Sequence, residues 1–136
     1  MNICDTSIFG NTDEGILLED VNHVTIQRCR IYQNSFGISM QPNEEEEDKP
    51  VHIVAPKGRS CTVETSECSI TKNRWWGICC KSGTNFTDFN SRVSDNWCGG
   101  IRIGINWQGR VALEGTTIEY NRGPGLWDEM KHSKPP

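Results

Sequence analysis

The chain has 136 residues, an acidic balance with a net charge of −4, and seven cysteines. Its Lys and Arg residues are scattered, which excludes the basic stripe that nucleic acid requires, and no apolar run approaches the ~20 residues that span a bilayer. We therefore expect one domain, residues 1–136, whose partner is neither nucleic acid nor a membrane.

A repeated pattern, C-x-I-x-x-N-x-x-x-G-I, occurs five times along the chain. In chain order the matches are "TSIFGNTDEGI" (6–16), "CRIYQNSFGI" (29–38), "CSITKNRWWGI" (68–78), "SRVSDNWCGGI" (91–101) and "TTIEYNRGPGL" (116–126). Between the second and third matches lies the acidic segment "QPNEEEEDKPVHIVAPKG", residues 41–58. We interpret this segment as a loop inserted into one array of repeats.

Within each unit the apolar residues alternate with period two, which indicates short β-strands. Ile38 with Met40 and Ile101 with Ile103 are examples. A single unit is too small to bury a core, whereas stacked units pair each strand with its copy one coil later, ~4.8 Å away. The pattern therefore predicts a parallel β-solenoid, whose first coil lacks the leading strand that Val24 and Ile26 give the second.

The Asn and Gly positions of the pattern are interpreted as a structural turn ladder. We expect these residues to adopt the left-handed backbone of sharp corners, and the Asn amides to hydrogen-bond to one another along the stack. The ladder consists of Asn11, Asn34, Asn73, Asn96, Asn121, Gly15, Gly37, Gly77, Gly100 and Gly125.

This cadence, over roughly residues 4–127, resembles the repeats of the pectin-lyase-like superfamily. The resemblance implies an all-β fold, a right-handed parallel β-helix (solenoid) of about five coils, with the handedness usual for parallel crossovers. A solenoid needs polar caps at both ends, and the sequence shows none. We therefore expect the chain to be a piece, or a short member, of a longer solenoid.

Three tryptophans fall at the predicted corners. Trp75 and Trp76 lie between the Asn and Gly of the third unit, and Trp97 follows the Asn of the fourth. With Arg74 they are candidates for an aromatic ridge that binds a protein or peptide, since Trp and Arg are enriched at binding hot spots. A sugar-stacking platform and a purely structural role are the alternatives, and we expect that both indoles of the Trp pair cannot tuck into the corner.

The cysteines fit a reducing compartment. Their number is odd, so at least one thiol has no partner within the chain, and their pattern positions are those of small buried hydrophobes. Together with an N-terminus that lacks a secretory signal, this predicts an intracellular protein, cytoplasmic or nuclear. No C-x-x-C occurs and the three histidines lack zinc-site spacing, so we predict no metal and no cofactor.

The stretch "NTDEGILLEDVNHVTIQRCRI" resembles a motif of polygalacturonase-type glycoside hydrolases, in which Asp13 would match an active-site aspartate. The family's paired aspartates on the next coil are replaced here by Ser35 and Phe36. Glycoside hydrolysis needs two carboxylates at a set separation. We therefore assign no catalytic residue and expect a protein that is not an enzyme.

The function expected from the sequence is a non-catalytic β-helix scaffold for protein–protein interaction, with substrate recognition as its role. In cadence the chain is similar to the β-helix domains of intracellular F-box proteins, although it contains no F-box. The alternative is a carbohydrate-binding or polysaccharide-degrading domain, in which the three tryptophans would line the groove.

Overall fold

The computed structural model describes residues 1–19, 23–41, 61–80, 84–104 and 110–128. Within these ranges the regular secondary structure consists of β-strands. They are β1 (Asn2–Cys4), β2 (Ser7–Phe9), β3 (Glu14–Glu19), β4 (His23–Gln27), β5 (Arg30–Tyr32), β6 (Phe36–Gln41), β7 (Cys61–Ser66), β8 (Ser69–Thr71), β9 (Trp76–Cys80), β10 (Thr84–Phe89), β11 (Arg92–Ser94), β12 (Gly99–Ile103), β13 (Val111–Glu114), β14 (Thr117–Glu119) and β15 (Leu126–Asp128). This part of the chain contains no helix of the length and apolarity needed to cross a membrane. The predicted loop at residues 41–58 lies outside the described residues, except for Gln41, which ends β6.

Three parallel sheets of five strands each form a β-solenoid. Their orders are β1-β4-β7-β10-β13, β2-β5-β8-β11-β14 and β3-β6-β9-β12-β15. Every third strand returns to the same sheet, so each coil gives one strand to each sheet. Equivalent pattern positions are paired, as with Ile31 opposite Ile70 and Ile38 opposite Ile78. The structure confirms the predicted all-β parallel solenoid built from repeats.

The first coil has its leading strand, so the prediction that it lacks one is wrong. β1 pairs in parallel with β4, and Ile3 lies opposite Ile26. This strand was not detected because it is three residues long and Ile3 is its only inward-facing residue. One apolar residue gives no alternation from which a strand is predicted.

The core is a column of apolar side chains enclosed by the three sheets. Its largest fully buried member is Phe86. Cys29, Cys68 and Cys80 are buried free thiols within it, and burial raises the pKa of the Cys80 thiol far above its ordinary value. These cysteines thus pack as small apolar residues, as their positions in the repeat predict.

One carboxylate, that of Asp88, lies inside the core with no exposed surface. It accepts hydrogen bonds from the Thr65 hydroxyl at 2.5 Å, from the Ser91 backbone N–H at 3.2 Å and from the Thr116 hydroxyl. A buried carboxylate is tolerated when its lone pairs are satisfied in this way. Asp88 therefore belongs to the interior and not to any surface cluster of acids.

The left-handed residues at the corners are not those predicted. At the turn between the second and third sheets, which we call the Asn corner, the residue directly before each ladder Asn has a positive φ, between 55° and 73°. These residues are Gly10, Gln33, Lys72, Asp95 and Tyr120. None of the five ladder asparagines and none of the five pattern glycines has a positive φ, so the predicted left-handed role of both columns is wrong.

The pattern glycines are needed instead for close approach between coils. A Cβ built on Gly37 would lie 2.4 Å from the carbonyl oxygen of Gly77 and 2.7 Å from the Cγ2 of Ile70. Any side chain at this position would therefore force adjacent coils apart. The glycine column is a consequence of stacking distance and not of backbone conformation.

Candidate functional site

The Asn corner is held by a ladder of side-chain amides. The Nδ2 of each Asn donates to the Oδ1 of the next, at 2.8 Å from Asn11 to Asn34, 3.3 Å from Asn34 to Asn73, 2.9 Å from Asn73 to Asn96 and 3.0 Å from Asn96 to Asn121. Each of these Oδ1 atoms also accepts the backbone N–H of the preceding Asn, at 2.9–3.1 Å. The three central asparagines are buried, so the middle of the ladder is a hydrogen-bonded base for the corner that is shielded from solvent.

The residues that follow the ladder form a second column on the surface. The backbone N–H of Arg74 donates to the carbonyl oxygen of Asn34 at 2.7 Å, that of Trp97 to Asn73 at 2.9 Å, and that of Arg122 to Asn96 at 3.1 Å. Arg74, Trp97 and Arg122 therefore occupy equivalent positions on three successive coils, about 4.8 Å apart. We call these three residues the Arg–Trp–Arg column.

The indole of Trp97 is exposed and contacts a cation. The relative exposure of Trp97 is 58%, and the guanidinium carbon of Arg122 lies 3.9 Å from the ring centroid. That distance is well within the ~6 Å range of a cation–π contact. At an exposed site such a contact is worth about 0.5–1 kcal/mol, which favours one orientation of the ring.

The two adjacent tryptophans have different environments, in agreement with the expectation that both cannot tuck into the corner. Trp76 is half-buried in β9, and its ring packs over the backbone of the next coil, where a Cβ on Gly99 would lie 2.3 Å from it. Trp75 is 46% exposed, while its backbone N–H donates to the Ser35 carbonyl oxygen at 2.7 Å. Trp75 and Trp97 are therefore surface residues of one corner, and Trp76 is mainly a packing residue.

A pocket of about 280 Å³ opens beside Trp97. It is lined by Gln33, Asn34, Lys72, Arg74 and Trp97. Asn34 is its buried floor, because its amide is already bonded to other ladder residues and to the carbonyl oxygen of Ile8. The side chains left to meet a ligand are thus the exposed ones around the rim.

The second coil has a short turn directly after Asn34, the floor of the pocket. Two residues, Ser35 and Phe36, separate Asn34 from Gly37, whereas the other four units have three residues there. Ser35 is also small and buried, and its hydroxyl donates inward to the carbonyl oxygen of Thr12 at 2.5 Å. The position after the ladder Asn therefore carries a small, buried side chain in the second coil and the large, exposed side chains of Arg74 and Trp97 in the third and fourth.

The charge of the pocket is positive. Lys72 and Arg74 both line it, and in the described part of the chain neither forms an ion pair with a carboxylate. Two other exposed arginines do form ion pairs, Arg28 with Asp5 at 2.8 Å and Arg92 with Glu119 at 3.2 Å. Two cations without a partner, on the rim of a recess, are suited to an anionic group.

Sequence reasoning selected Trp75, Trp76, Trp97 and Arg74 for this site but did not select Gln33 and Lys72. Both hold the left-handed position before a ladder Asn, a column that contains five different residue types in the five units. The signal that would have identified Gln33 and Lys72 is their place directly before a ladder Asn, because a residue next to the ladder also belongs to the corner.

Asp13, the residue matched to a glycoside-hydrolase aspartate, is exposed at the corner of the first coil. The backbone N–H of Ser35 donates to its carbonyl oxygen at 2.9 Å. Ser35 and Phe36 thus occupy the next coil where the resemblance would require aspartates. Among the described residues no group of three His, Cys, Asp or Glu side chains is placed to hold a metal ion.

None of the comparisons with known proteins, by family model, by curated sequence or by solved structure, gives a match to this chain. The geometry of the Asn corner is therefore the basis on which a function is argued.

Proposed function

We propose that the chain is a non-catalytic β-helix scaffold that binds a protein or peptide at the Asn corner. The observation that supports this proposal is the Trp97 indole, which is 58% exposed and is held at 3.9 Å by Arg122. Exposed, preorganised Trp and Arg side chains beside a recess are the composition and geometry of a binding hot spot.

Preorganisation is the physical reason for the expected affinity. Ordering a flexible side chain at an interface costs about 0.5–1.5 kcal/mol. Here the bonds of the Asn corner hold the backbone of Trp97, and the cation–π contact favours one orientation of its ring before any partner arrives. The exposed indole of Trp75, on the same corner, extends the apolar surface available for contact.

The proposal is tested by selection from a random peptide library displayed on phage, followed by fluorescence anisotropy of the selected peptides. We expect Trp97→Ala to weaken binding about 30-fold, the effect of losing one aromatic hot spot, and Trp75→Ala to weaken it less. The matched control is Phe89→Ala, which removes an aromatic of similar exposure from the end of β10, away from the corner; its affinity should change less than about twofold.

Two results would contradict the proposal. One is a set of peptides that bind equally well to the Trp97→Ala and Trp75→Ala variants, or the absence of any peptide that binds. The other is quenching of tryptophan fluorescence by neutral oligosaccharides at micromolar to millimolar concentration, lost in Trp97→Ala. That outcome would replace the peptide by a carbohydrate ligand.

The same proposal includes membership of the pectin-lyase-like superfamily, substrate recognition of the kind that F-box β-helix domains perform, and an intracellular location. It is supported by the repeat cadence and by the buried free thiols Cys29, Cys68 and Cys80, which fit a reducing compartment. Immunofluorescence of the tagged full-length protein tests the location, and a secreted, glycosylated product would contradict it.

A further inference from the structure

We infer that the pocket beside Trp97 binds a carboxylate side chain, Asp or Glu, of the partner peptide. This inference rests on the proposed peptide-binding function and names the chemistry of the partner. Its basis is the charge of the pocket: Lys72 and Arg74 line it, and within the described residues neither has an acidic partner.

Arg74 is available for this role because a different arginine stacks on the tryptophan. In the Arg–Trp–Arg column it is Arg122, from the following coil, that lies over the Trp97 ring. Arg74, from the preceding coil, lines the pocket instead. Its guanidinium keeps its five N–H donors in a planar fork that matches a carboxylate.

Lys72 reaches the same recess from the other side of the ladder. It lies directly before Asn73 with a φ of 55°, and Arg74 lies directly after it. The buried Asn73 thus separates two cations whose backbones are both fixed by the ladder. A carboxylate entering between them meets both, and charge-assisted hydrogen bonds of this kind are stronger than neutral ones.

The acidic residue nearest in register is Asp95, which occupies the position equivalent to Lys72 on the next coil. It is exposed and does not line the pocket. Asp95 therefore reduces the positive potential around the corner without filling the recess. Trp97, on the same coil as Asp95, supplies the apolar wall against which the methylene groups of Glu pack.

The test uses two pools of synthetic nonapeptides, acetylated and amidated at their ends. All positions are randomised without Asp or Glu except the central one, which is Glu in one pool and Gln in the other. Both pools are immobilised and titrated with the labelled full chain, as wild type and as a Lys72→Gln/Arg74→Gln double variant. We expect the wild type to bind the Glu pool about tenfold more tightly, and the double variant to bind both pools equally.

The matched control is Arg28→Gln. Like Lys72, Arg28 has a positive φ, 51°, and Gln33 shows that a Gln is accepted in that conformation. The control thus matches the Lys72→Gln half of the double variant, in the charge removed and in the positive φ of the residue replaced, but lies at the other corner of the coil. It should retain the preference for the Glu pool.

The outcomes separate the two proposals. Equal binding of both pools by the wild type, reduced by Trp97→Ala, would overturn the carboxylate inference and leave the peptide-binding function intact. No binding of either pool would overturn the peptide-binding function itself. Binding of oligogalacturonate that depends on Lys72 and Arg74, without binding of the pools, would reassign the pocket to an acidic sugar. A Glu preference that persists in the double variant would place the carboxylate elsewhere on the surface.

Discussion

Replacing Asn73 by Ala should remove the centre of the ladder and destabilise the solenoid strongly. The Oδ1 of Asn73 accepts the backbone N–H of Asn34 at 3.1 Å and its Nδ2 at 3.3 Å. The Nδ2 of Asn73 donates to Asn96 at 2.9 Å and to the carbonyl oxygen of Ile31 at 3.4 Å. Truncation leaves the buried backbone N–H of Asn34 without an acceptor, which costs about 1–3 kcal/mol of stability. It also removes three further hydrogen bonds, each of which contributes about 0.5–1.5 kcal/mol. We expect a total loss of about 4 kcal/mol.

The matched control is Asn11→Ala, at the exposed end of the same ladder. Asn11 donates its side chain to Asn34 but accepts no bond from another ladder residue in the described chain, so its loss should cost about 1 kcal/mol. Urea unfolding measures both variants. Since solenoids can unfold in parts, amide hydrogen exchange at Asn34 gives the local readout. Equal destabilisation by both changes, or an Asn34 amide that stays protected in Asn73→Ala, would refute the ladder reasoning.

Three further predictions concern packing, charge and burial. Gly99→Ala should lower the free energy of unfolding, measured with urea, by about 1–3 kcal/mol, because the new methyl would lie 2.3 Å from the Trp76 ring and 2.7 Å from the carbonyl oxygen of Pro124; an unchanged free energy of unfolding would contradict this close packing. The hydrogen bond from Arg28 holds the pKa of the Asp5 carboxyl below its ordinary value of 3.8. The pair therefore stabilises the fold at pH values above the pKa that Asp5 has in the unfolded chain, and this stabilisation is lost as the pH falls through the pKa of Asp5 in the folded chain. An NMR titration should show the Asp5 pKa rising in Arg28→Gln, and no rise would contradict the pairing. Because burial raises the pKa of the Cys80 thiol, this cysteine should react with a thiol reagent at pH 8 only after unfolding, whereas the exposed Cys4 should react in the native protein; peptide mapping that finds Cys80 labelled as fast as Cys4 would be the contrary result.

The repeat register is readable from the sequence because two residue types have one essential position each in every coil. Asn presents an amide donor and an amide acceptor on a short side chain, and its Oδ1 also accepts the backbone N–H of the preceding ladder Asn. Only a Gly fits where Gly37 approaches the carbonyl oxygen of Gly77, with 2.4 Å left for a Cβ. The Asn and Gly columns are therefore predicted at the right places in the coil, although the left-handed conformation inferred for them is wrong. A residue type that recurs at one position of the repeat shows that this position is constrained, but it does not show which physical constraint acts there.

The pocket was not predictable in the same way. Its lining residues come from three coils and from different positions of the repeat: Gln33 and Lys72 directly before a ladder Asn, Arg74 and Trp97 directly after one. The repeat pattern does not group such residues. Lys72 faces the recess because of its left-handed backbone, and five unlike residues at that position give no consensus from which the conformation could be inferred.

The Asn corner separates the residues that hold the fold from those that face solvent. In the third, fourth and fifth coils the residue after the ladder Asn has its backbone N–H bonded to the coil before it, as from Trp97 to the Asn73 carbonyl oxygen, while its side chain is exposed. Thr, Ser, Arg, Trp and Arg occupy this position in the five units, a wide range of size and charge. A substitution there alters the surface while the ladder bonds, which involve only backbone atoms of that residue, are kept. A solenoid of this kind can therefore change what it binds without changing how it folds, and this is the physical reason to place the binding site at this corner.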